Sequence, residues 1–198
     1  LHGQYLPGDQ VSPSFAQYAD ALARPLMTAQ GSQISVILET GRAMIDEAGT
    51  LVSTVLSGKR LVSGRKAIVI DAGVSLLFTA YWYRLQLLPV QPPRGTPEET
   101  TVYGPLCMNI DCVRDGIVLP DLQPGNLLAI RPVGAYCFTQ SMQFIHLRPA
   151  VALVGLTGDA ELIRRAEVLE DLVGPEILPE RLRRSPDIEK ARKSEIAE

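Results

Sequence analysis

The stretch "VYGPLCMNIDCVRDGIVLP", residues 102–120, holds two of the three cysteines of this chain, Cys107 and Cys112. A Gly-Pro turn delivers Cys107 into a segment that otherwise reads as strand, turn and strand. A thiol in that place is either a small buried hydrophobe or a group that a loop holds out to do chemistry. A second candidate is "LETGRA", where Glu39 closes an apolar run and Gly41 and Arg42 follow. A carboxylate, a glycine that exposes backbone N–H groups and a guanidinium in that order would hold a cationic nitrogen beside an anionic group. The plainer alternative is an acid–base pair at a strand end. A third is "VGAYCF", in which Gly134 lets the backbone turn and Tyr136 offers a phenol, as a phosphate or carboxylate donor or as a core tyrosine. "FTAYWYRL" reads as an aromatic core patch, and "SMQFIH" reads as core with His146 as a satisfied polar tip.

These residues need elements to position them. "SPSFAQYADALARPLMTAQG" opens with Ser12-Pro13-Ser14 and carries apolar residues near helical spacing, so it predicts a helix that stops at Gly31. "QISVILETG" is a nearly unbroken apolar run rich in β-branched residues, the pattern of a strand buried on both faces in a parallel sheet. In a barrel of parallel strands, active-site groups sit at the C-terminal end of such a strand, where Glu39 lies. After Gly41 the texture changes to short apolar runs at 50–56 and 67–71, "LLAIRPVGAYCF" and "RPAVALVGL", separated by Gly and Pro. That pattern predicts an antiparallel sheet or barrel. Residues 89–100, with four prolines, read as a surface loop. From Gly158, "DAELIRRAEVLEDLVG" shows a helical apolar stripe, and "RLRRSPDIEKARKSEIAE" reads as a charged, frayed tail.

The bulk numbers narrow the function classes. The 198 residues are 46% hydrophobic and 21% charged, a globular composition. A net charge of -3 gives no electrostatic case for nucleic acid or an anionic membrane, and no apolar run is long enough to span a bilayer as a helix. Cys107, Cys112 and Cys137 form no CxxC pair, and the two histidines, His2 and His146, lie at no metal-ligand spacing. Neither a zinc site nor a disulfide framework is expected, and a reducing, cytoplasmic setting fits. A chain that starts at Leu1 in a loop-like stretch reads as a fragment.

No single motif is decisive, but their order is. Glu39-Thr40-Gly41-Arg42, then "AIVIDAG", "GPLCMNID", "LQPGNLLAI", "VGAY", "RPAVALV" and "LIRRAEVLEDL" follow one another over residues 12–173. This set resembles the C-terminal half of the fold-type III pyridoxal-phosphate decarboxylases, the diaminopimelate and ornithine decarboxylase group. The resemblance implies a mainly β chain with an α/β remnant. Residues 1–41 would be the last αβ unit of a (β/α)8 barrel. Residues 42–158 would be an antiparallel, Greek-key-like β-barrel domain, and 159–198 a terminal helix and charged tail.

It also implies roles. Glu39 would pair with the pyridine nitrogen of pyridoxal 5'-phosphate, which keeps the ring able to accept electrons as CO2 departs. Gly41 and Arg42 would lie near phosphate and substrate, and Tyr136 at cofactor and substrate. The Cys107 loop would cross a homodimer interface, and its thiol would return a proton to the carbon that lost CO2. Cys112 and Cys137 would be packing residues and Asp111 structural or interfacial.

Departures from the family pattern bear on the substrate. Met108 stands where the family has a glutamate that holds the distal end of diaminopimelate. Thr79 lies near the place of an arginine that binds a distal carboxylate, while Tyr83 keeps a family tyrosine. Each change removes a polar handle, about 1–3 kcal/mol for each buried group left unpaired. The expected substrate is an amino acid with a less charged distal end, such as one attached to a carrier. The lysine that bears the cofactor has no counterpart among Lys59, Lys66, Lys190 and Lys193, so this polypeptide alone is expected to be inactive. Readings of other kinds are a non-catalytic β-domain or interaction module, a degenerate paralogue, and an amino-acid racemase of the same fold type.

Overall fold

The computed structural model describes residues 13–28, 35–92 and 94–182. The predicted first helix is present as α1, Phe15–Thr28, with Pro25 inside it; the predicted stop at Gly31 lies outside the described residues. The predicted buried strand before Gly41 is not formed, since residues 35–40 have no regular structure. Val36, Ile37 and Leu38 are exposed, Ile37 to 86%. An apolar run becomes a buried strand only when neighbouring strands take up its N–H and C=O groups. No described residue supplies such a neighbour.

β1 (Leu51–Arg60) and β2 (Lys66–Ile70) are the two runs expected after Gly41. β3 (Gln86–Pro89), β4 (Glu98–Tyr103), β5 (Cys112–Leu119) and β6 (Leu127–Arg131) complete a six-stranded sheet in the order β3-β6-β1-β2-β4-β5. The expected surface loop at 89–100 is trimmed by β3 and β4 at its two ends. The sheet is mixed rather than antiparallel, because β2 and β4 pair in parallel. β1 joins its two halves: Leu51–Thr54 pair with β6, and from Val55 onward the strand pairs with β2, with an irregularity between Val55 and Ser57. An extra residue bends a strand and raises its twist, which lets one long strand serve both halves of a curled sheet.

The core lies on the inner face of this sheet. β-branched and leucine side chains at Val55, Ile68, Ile70, Val102, Val113, Leu128 and Ile130 are all at most 1% exposed. In β6 the period-2 alternation is plain, with Leu128 and Ile130 inward and their neighbours half-buried. Asp71, at the end of β2, ties that end to β1. Its Oδ1 accepts from the Ser53 hydroxyl at 2.6 Å and from the Thr54 N–H at 2.8 Å.

The chain divides into two compact units, Leu1–Arg148 and Pro149–Glu198. The second contains a hairpin of β7 (Val151–Val154) and β8 (Ala160–Arg164), followed by a short helix, here α3, Leu169–Val173. This corrects the expected helix from 159: "AELIR" is strand, and position 158 falls in the hairpin turn. The stripe of apolar residues matched helical spacing, but Gly155 and Gly158 close a turn that pairs the segment back onto β7. Of the charged tail expected over 181–198, the residues after 182 lie outside the described residues. No described helix is long and apolar enough to cross a membrane.

Candidate active site

Residues Arg42–Ile45 form a single helical turn, α2, which begins directly after Gly41. Four residues apart on that turn, Arg42 and Asp46 face one another, and Arg42 Nη1 donates to Asp46 Oδ2 at 2.8 Å. Both side chains are buried, at 6% and 2% exposure. The carboxylate does more than balance the guanidinium. Its Oδ1 accepts the Ala135 N–H at 3.0 Å, and the Asp46 carbonyl accepts the Gly134 N–H at 2.9 Å. One aspartate therefore fastens the "TGRA" segment to the "VGAY" turn. Gly134 is glycine because a Cβ there would run into the Ile45 carbonyl.

The next residue, Tyr136, is held at φ +63°, a left-handed conformation that a tyrosine adopts at a cost of about 1–3 kcal/mol. The bonds to Asp46 on the two preceding residues fix the turn that imposes it. This strain lays the ring against Arg42, whose guanidinium carbon is 5.2 Å from the Tyr136 ring centre and 4.1 Å from that of Tyr83. The cation is thus held by two phenol faces and one carboxylate. At Gly41 a Cβ would stand 2.8 Å from the Tyr136 hydroxyl oxygen, so only glycine leaves that hydroxyl its place.

Arg42, Tyr83 and Tyr136 line a cavity of about 220 Å³ together with Phe78, Thr79, Trp82 and Gln140. Phe78 and Trp82 meet edge-to-face with ring centres 4.8 Å apart. The expected aromatic core patch is therefore corrected: Tyr81 and Trp82 are exposed, and "FTAYWY" forms one wall of an opening rather than core. "SMQFIH" is corrected likewise, since Met142, Phe144 and Ile145 are exposed. In both stretches the backbone runs through turns, not strand, so no alternation buries the large side chains. Thr79 is the buried member of the first stretch, with its Oγ1 2.9 Å from Cys137 Sγ. Burial pushes the Cys137 thiol up, and the nearby Asp46 charge adds to this against the opposing effect of the Thr79 contact. Cys137 is therefore a neutral packing group, as expected. The Cys112 thiol is also pushed up, first by burial and then by Asp115.

The Cys107 loop is built on another principle. Asp111 is buried at 2% exposure, and its carboxylate accepts the Val74 and Leu106 N–H groups, each at 2.7 Å. Gly73 and Gly104 crowd the same carboxylate so closely that a Cβ at either would overlap it. The glycines of "DAG" and "YGP" and the aspartate of "NID" are thus one construction. Between buried Leu106 and Asp111, residues Cys107 to Ile110 are all exposed. Cys107 is a free thiol in solvent, not a buried hydrophobe.

Of the residues singled out in sequence, the fold brings Gly41, Arg42, Tyr83 and Tyr136 together. Glu39 is exposed and is not among the cavity's lining residues, nor are Cys107 and Met108. Sequence reading missed Asp46 as the organiser, and Phe78, Trp82 and Gln140 as lining. The i,i+4 spacing of Arg42 and Asp46 was the available signal for the first. Among the described residues no group of three or more His, Cys, Asp or Glu is placed to hold a metal ion.

A guanidinium, two phenols and the rings of Phe78 and Trp82 at one opening suit an anionic, aromatic ligand. The family model for the C-terminal sheet domain of the pyridoxal-dependent decarboxylases matches residues 42–134. Over these residues the chain carries that family's C-terminal sheet domain. The match starts at Arg42 and ends at Gly134, the two ends of the Asp46 fastening. A diaminopimelate decarboxylase of Helicobacter pylori (strain J99) is 33% identical over 159 residues, which cover 78% of this chain and 38% of that protein. The L-glutamyl-[BtrI acyl-carrier protein] decarboxylase of Niallia circulans is 27% identical over 159 residues, covering 75% of this chain and 37% of that one. A solved diaminopimelate decarboxylase from M. jannaschii, in complex with L-lysine, superposes with a TM-score of 0.79 at 27% identity over 90% of this chain and 41% of that one. The chain thus spans about two fifths of the length of these decarboxylases.

The residues present fit the cofactor of this family. Arg42 and Tyr136 bring a guanidinium and a phenol to one opening, donor groups of the kind an anionic cofactor needs. The expected β-domain is present as a mainly-sheet domain.

Proposed function

We propose that this chain is the C-terminal part of a pyridoxal-phosphate-dependent amino-acid decarboxylase and that it contributes one half of a shared active site. The observation that carries this reading is the joining of Arg42, Tyr83 and Tyr136 at one cavity by Asp46. Pyridoxal phosphate, when bound, supplies the electron sink for loss of CO2. Arg42, whose guanidinium lies near the rings of Tyr83 and Tyr136, lines the cavity where an anionic group of cofactor or substrate would sit. Tyr136 orients that group through its hydroxyl. Glu39, exposed at the end of residues 35–40, holds a proton at the pyridine nitrogen. Residues 35–40 take the strand neighbours they lack here from the barrel half of the intact decarboxylase.

Cys107 stands in solvent on a rigid loop, and we assign it to the cavity of a second copy in a cytoplasmic homodimer. There its thiol returns a proton to the carbon that lost CO2. The substrate is an amino acid whose distal end is less charged than that of diaminopimelate. Thr79 has only a neutral hydroxyl, buried against Cys137, and Phe78 and Trp82 make an apolar wall. Met108, at the exposed loop, adds no charge. The carrier-bound substrate named for the Niallia relative has such an end.

The test is made on the intact protein with pyridoxal phosphate. An imine absorbance band that borohydride abolishes, together with CO2 release from amino acids, is expected; no band, or racemisation without CO2, overturns the reading. Cys107→Ala is expected to lower kcat by about 100-fold or more, as for loss of a general acid, with cofactor binding kept. Unchanged turnover would remove Cys107 from the mechanism.

A further inference from the structure

Gln140 lines the same cavity as Arg42, Tyr83 and Tyr136, and no step of the proposed reaction uses it. The turn that carries it is fastened on both sides. Before it, Cys137 is buried, with its Sγ 2.9 Å from Thr79 Oγ1. After it, Ser141 is buried, and its hydroxyl donates to the Phe138 carbonyl at 2.7 Å. Arg148 Nε donates to that hydroxyl at 2.8 Å, and Arg148 Nη2 to the Ser141 carbonyl at 3.0 Å. The Met142 N–H donates to the Ser75 carbonyl at 2.8 Å, which ties the turn to the "DAGVS" segment. None of these bonds involves the Gln140 side chain. It is exposed, and its amide makes no hydrogen bond among the described residues.

Binding cavities set specificity with a few placed polar groups among apolar walls. Here the Arg42 guanidinium bonds Asp46, and the Thr79 hydroxyl is buried against Cys137. The Gln140 amide is uncommitted, and it shares the cavity with the rings of Phe78 and Trp82. An amide side chain offers a donor NH2 and an acceptor oxygen next to one another. A carboxylate could use the NH2 alone and would set its charge against the Gln140 oxygen. An ammonium could use the oxygen alone. An alkyl group could use neither, and by excluding water would leave both unpaired. A carboxamide matches both at once, its carbonyl on the NH2 and its N–H on the oxygen.

We propose that Gln140 determines specificity by pairing with a carboxamide in the distal part of the substrate. This rests on the reading of the cavity as a decarboxylase site for an amino acid with a less charged distal end, and names the chemistry of that end.

The intact protein, saturated with pyridoxal phosphate, is titrated by calorimetry with ω-amino N-methylamides of two to four methylene groups, and with the ω-amino carboxylates of the same lengths. These amines lack the carboxyl group that would leave as CO2, so the readout needs no turnover. The best amide is expected to bind about 10-fold or more tightly than the carboxylate of its length, the worth of one paired polar group. Q140L should remove that preference by weakening the amide and leave the carboxylate little changed. Q140E keeps the size but trades the donor for a second acceptor and a charge, so it should bind the α,ω-diamine ahead of the amide. Equal binding of amide and carboxylate by the unaltered protein, an amide preference that survives in Q140L, or an unchanged order of amide and diamine in Q140E overturns the assignment. A preference that depends on Gln140, with no CO2 released from the matching amino acid, would sink only the decarboxylase reading. CO2 release without the preference would sink only the role of Gln140.

Discussion

Around Arg42 the functional side chains are themselves immobilised, whereas in the 104–111 loop only the backbone is. Asp46 and Asp111 are both buried aspartates that accept N–H groups from distant segments, yet they serve opposite ends. Asp46 pulls a guanidinium and a tyrosine inward to one cavity. Asp111 spends its whole carboxylate on main chain and leaves Cys107, Met108 and Ile110 facing out. A site whose side chains are locked by its own chain is preassembled. A loop fastened through its backbone alone leaves its side chains open to solvent. In this protein the first describes the cavity and the second the thiol.

The largest effect is expected where that contrast is broken at Asp46. Asp46→Ala leaves the buried Arg42 charge uncompensated, which costs about 3–5 kcal/mol. It also frees the Ala135 N–H, so the Tyr136 turn should relax. Denaturant unfolding measures the loss; a change under 1 kcal/mol would mean that Asp46 does not organise the site. Asp111→Ala comes next. Two buried N–H groups lose their acceptor, at about 1–3 kcal/mol each. Here Cys107 should become variable in position while the Arg42–Asp46 pair persists, so the two variants should affect near-UV signals of Tyr136 and Trp82 differently.

Gly41→Ala sharpens the comparison with less damage. The φ of Gly41 is -99°, which alanine adopts freely, so stability should fall by less than about 1 kcal/mol. The new methyl meets the Tyr136 hydroxyl, so cofactor affinity should drop more than stability. Equal cofactor affinity would detach Tyr136 from the site.

The smallest effect is in pH. The buried Cys137 thiol holds its proton in the fold to higher pH than in the unfolded chain. The folded state then binds more protons, and its advantage is full below the unfolded thiol's pKa and lost as pH rises through the folded one. Stability should fall with rising alkaline pH, and Cys137→Ala should lessen the slope without abolishing it, because Cys112 is raised in the same sense. Thiol reagents should follow the same contrast, modifying exposed Cys107 first and Cys137 only on unfolding.

Much of the sheet was legible because β1, β2, β6 and β7 are apolar runs bounded by Gly and Pro, signals that depend on neighbours only a few residues away. The parallel pairing of β2 with β4 was not, since register between residues 34 positions apart leaves no local mark. The segment "AELIR" carried a helical stripe that the glycine turn at 155–158 overrode. At the site, Gly41, Arg42, Tyr83 and Tyr136 were found by motif order. Trp82 and Phe78 were misread as core because large aromatics look alike in sequence whether they fill a sheet or wall an opening.

The sequence by itself determined the residue types: a thiol behind a Gly-Pro turn, an arginine after a bare glycine, a tyrosine after Gly-Ala, and acids four and five residues from the groups they hold. Only the tertiary structure decided which of them meet. Arg42 and Tyr136 are 94 positions apart in the chain, and they touch because one buried carboxylate bonds both segments; the thiol faces away because a second carboxylate is consumed by backbone. Hydrogen bonds of that range follow from how β1, β2 and β6 pair, and no local pattern encodes them.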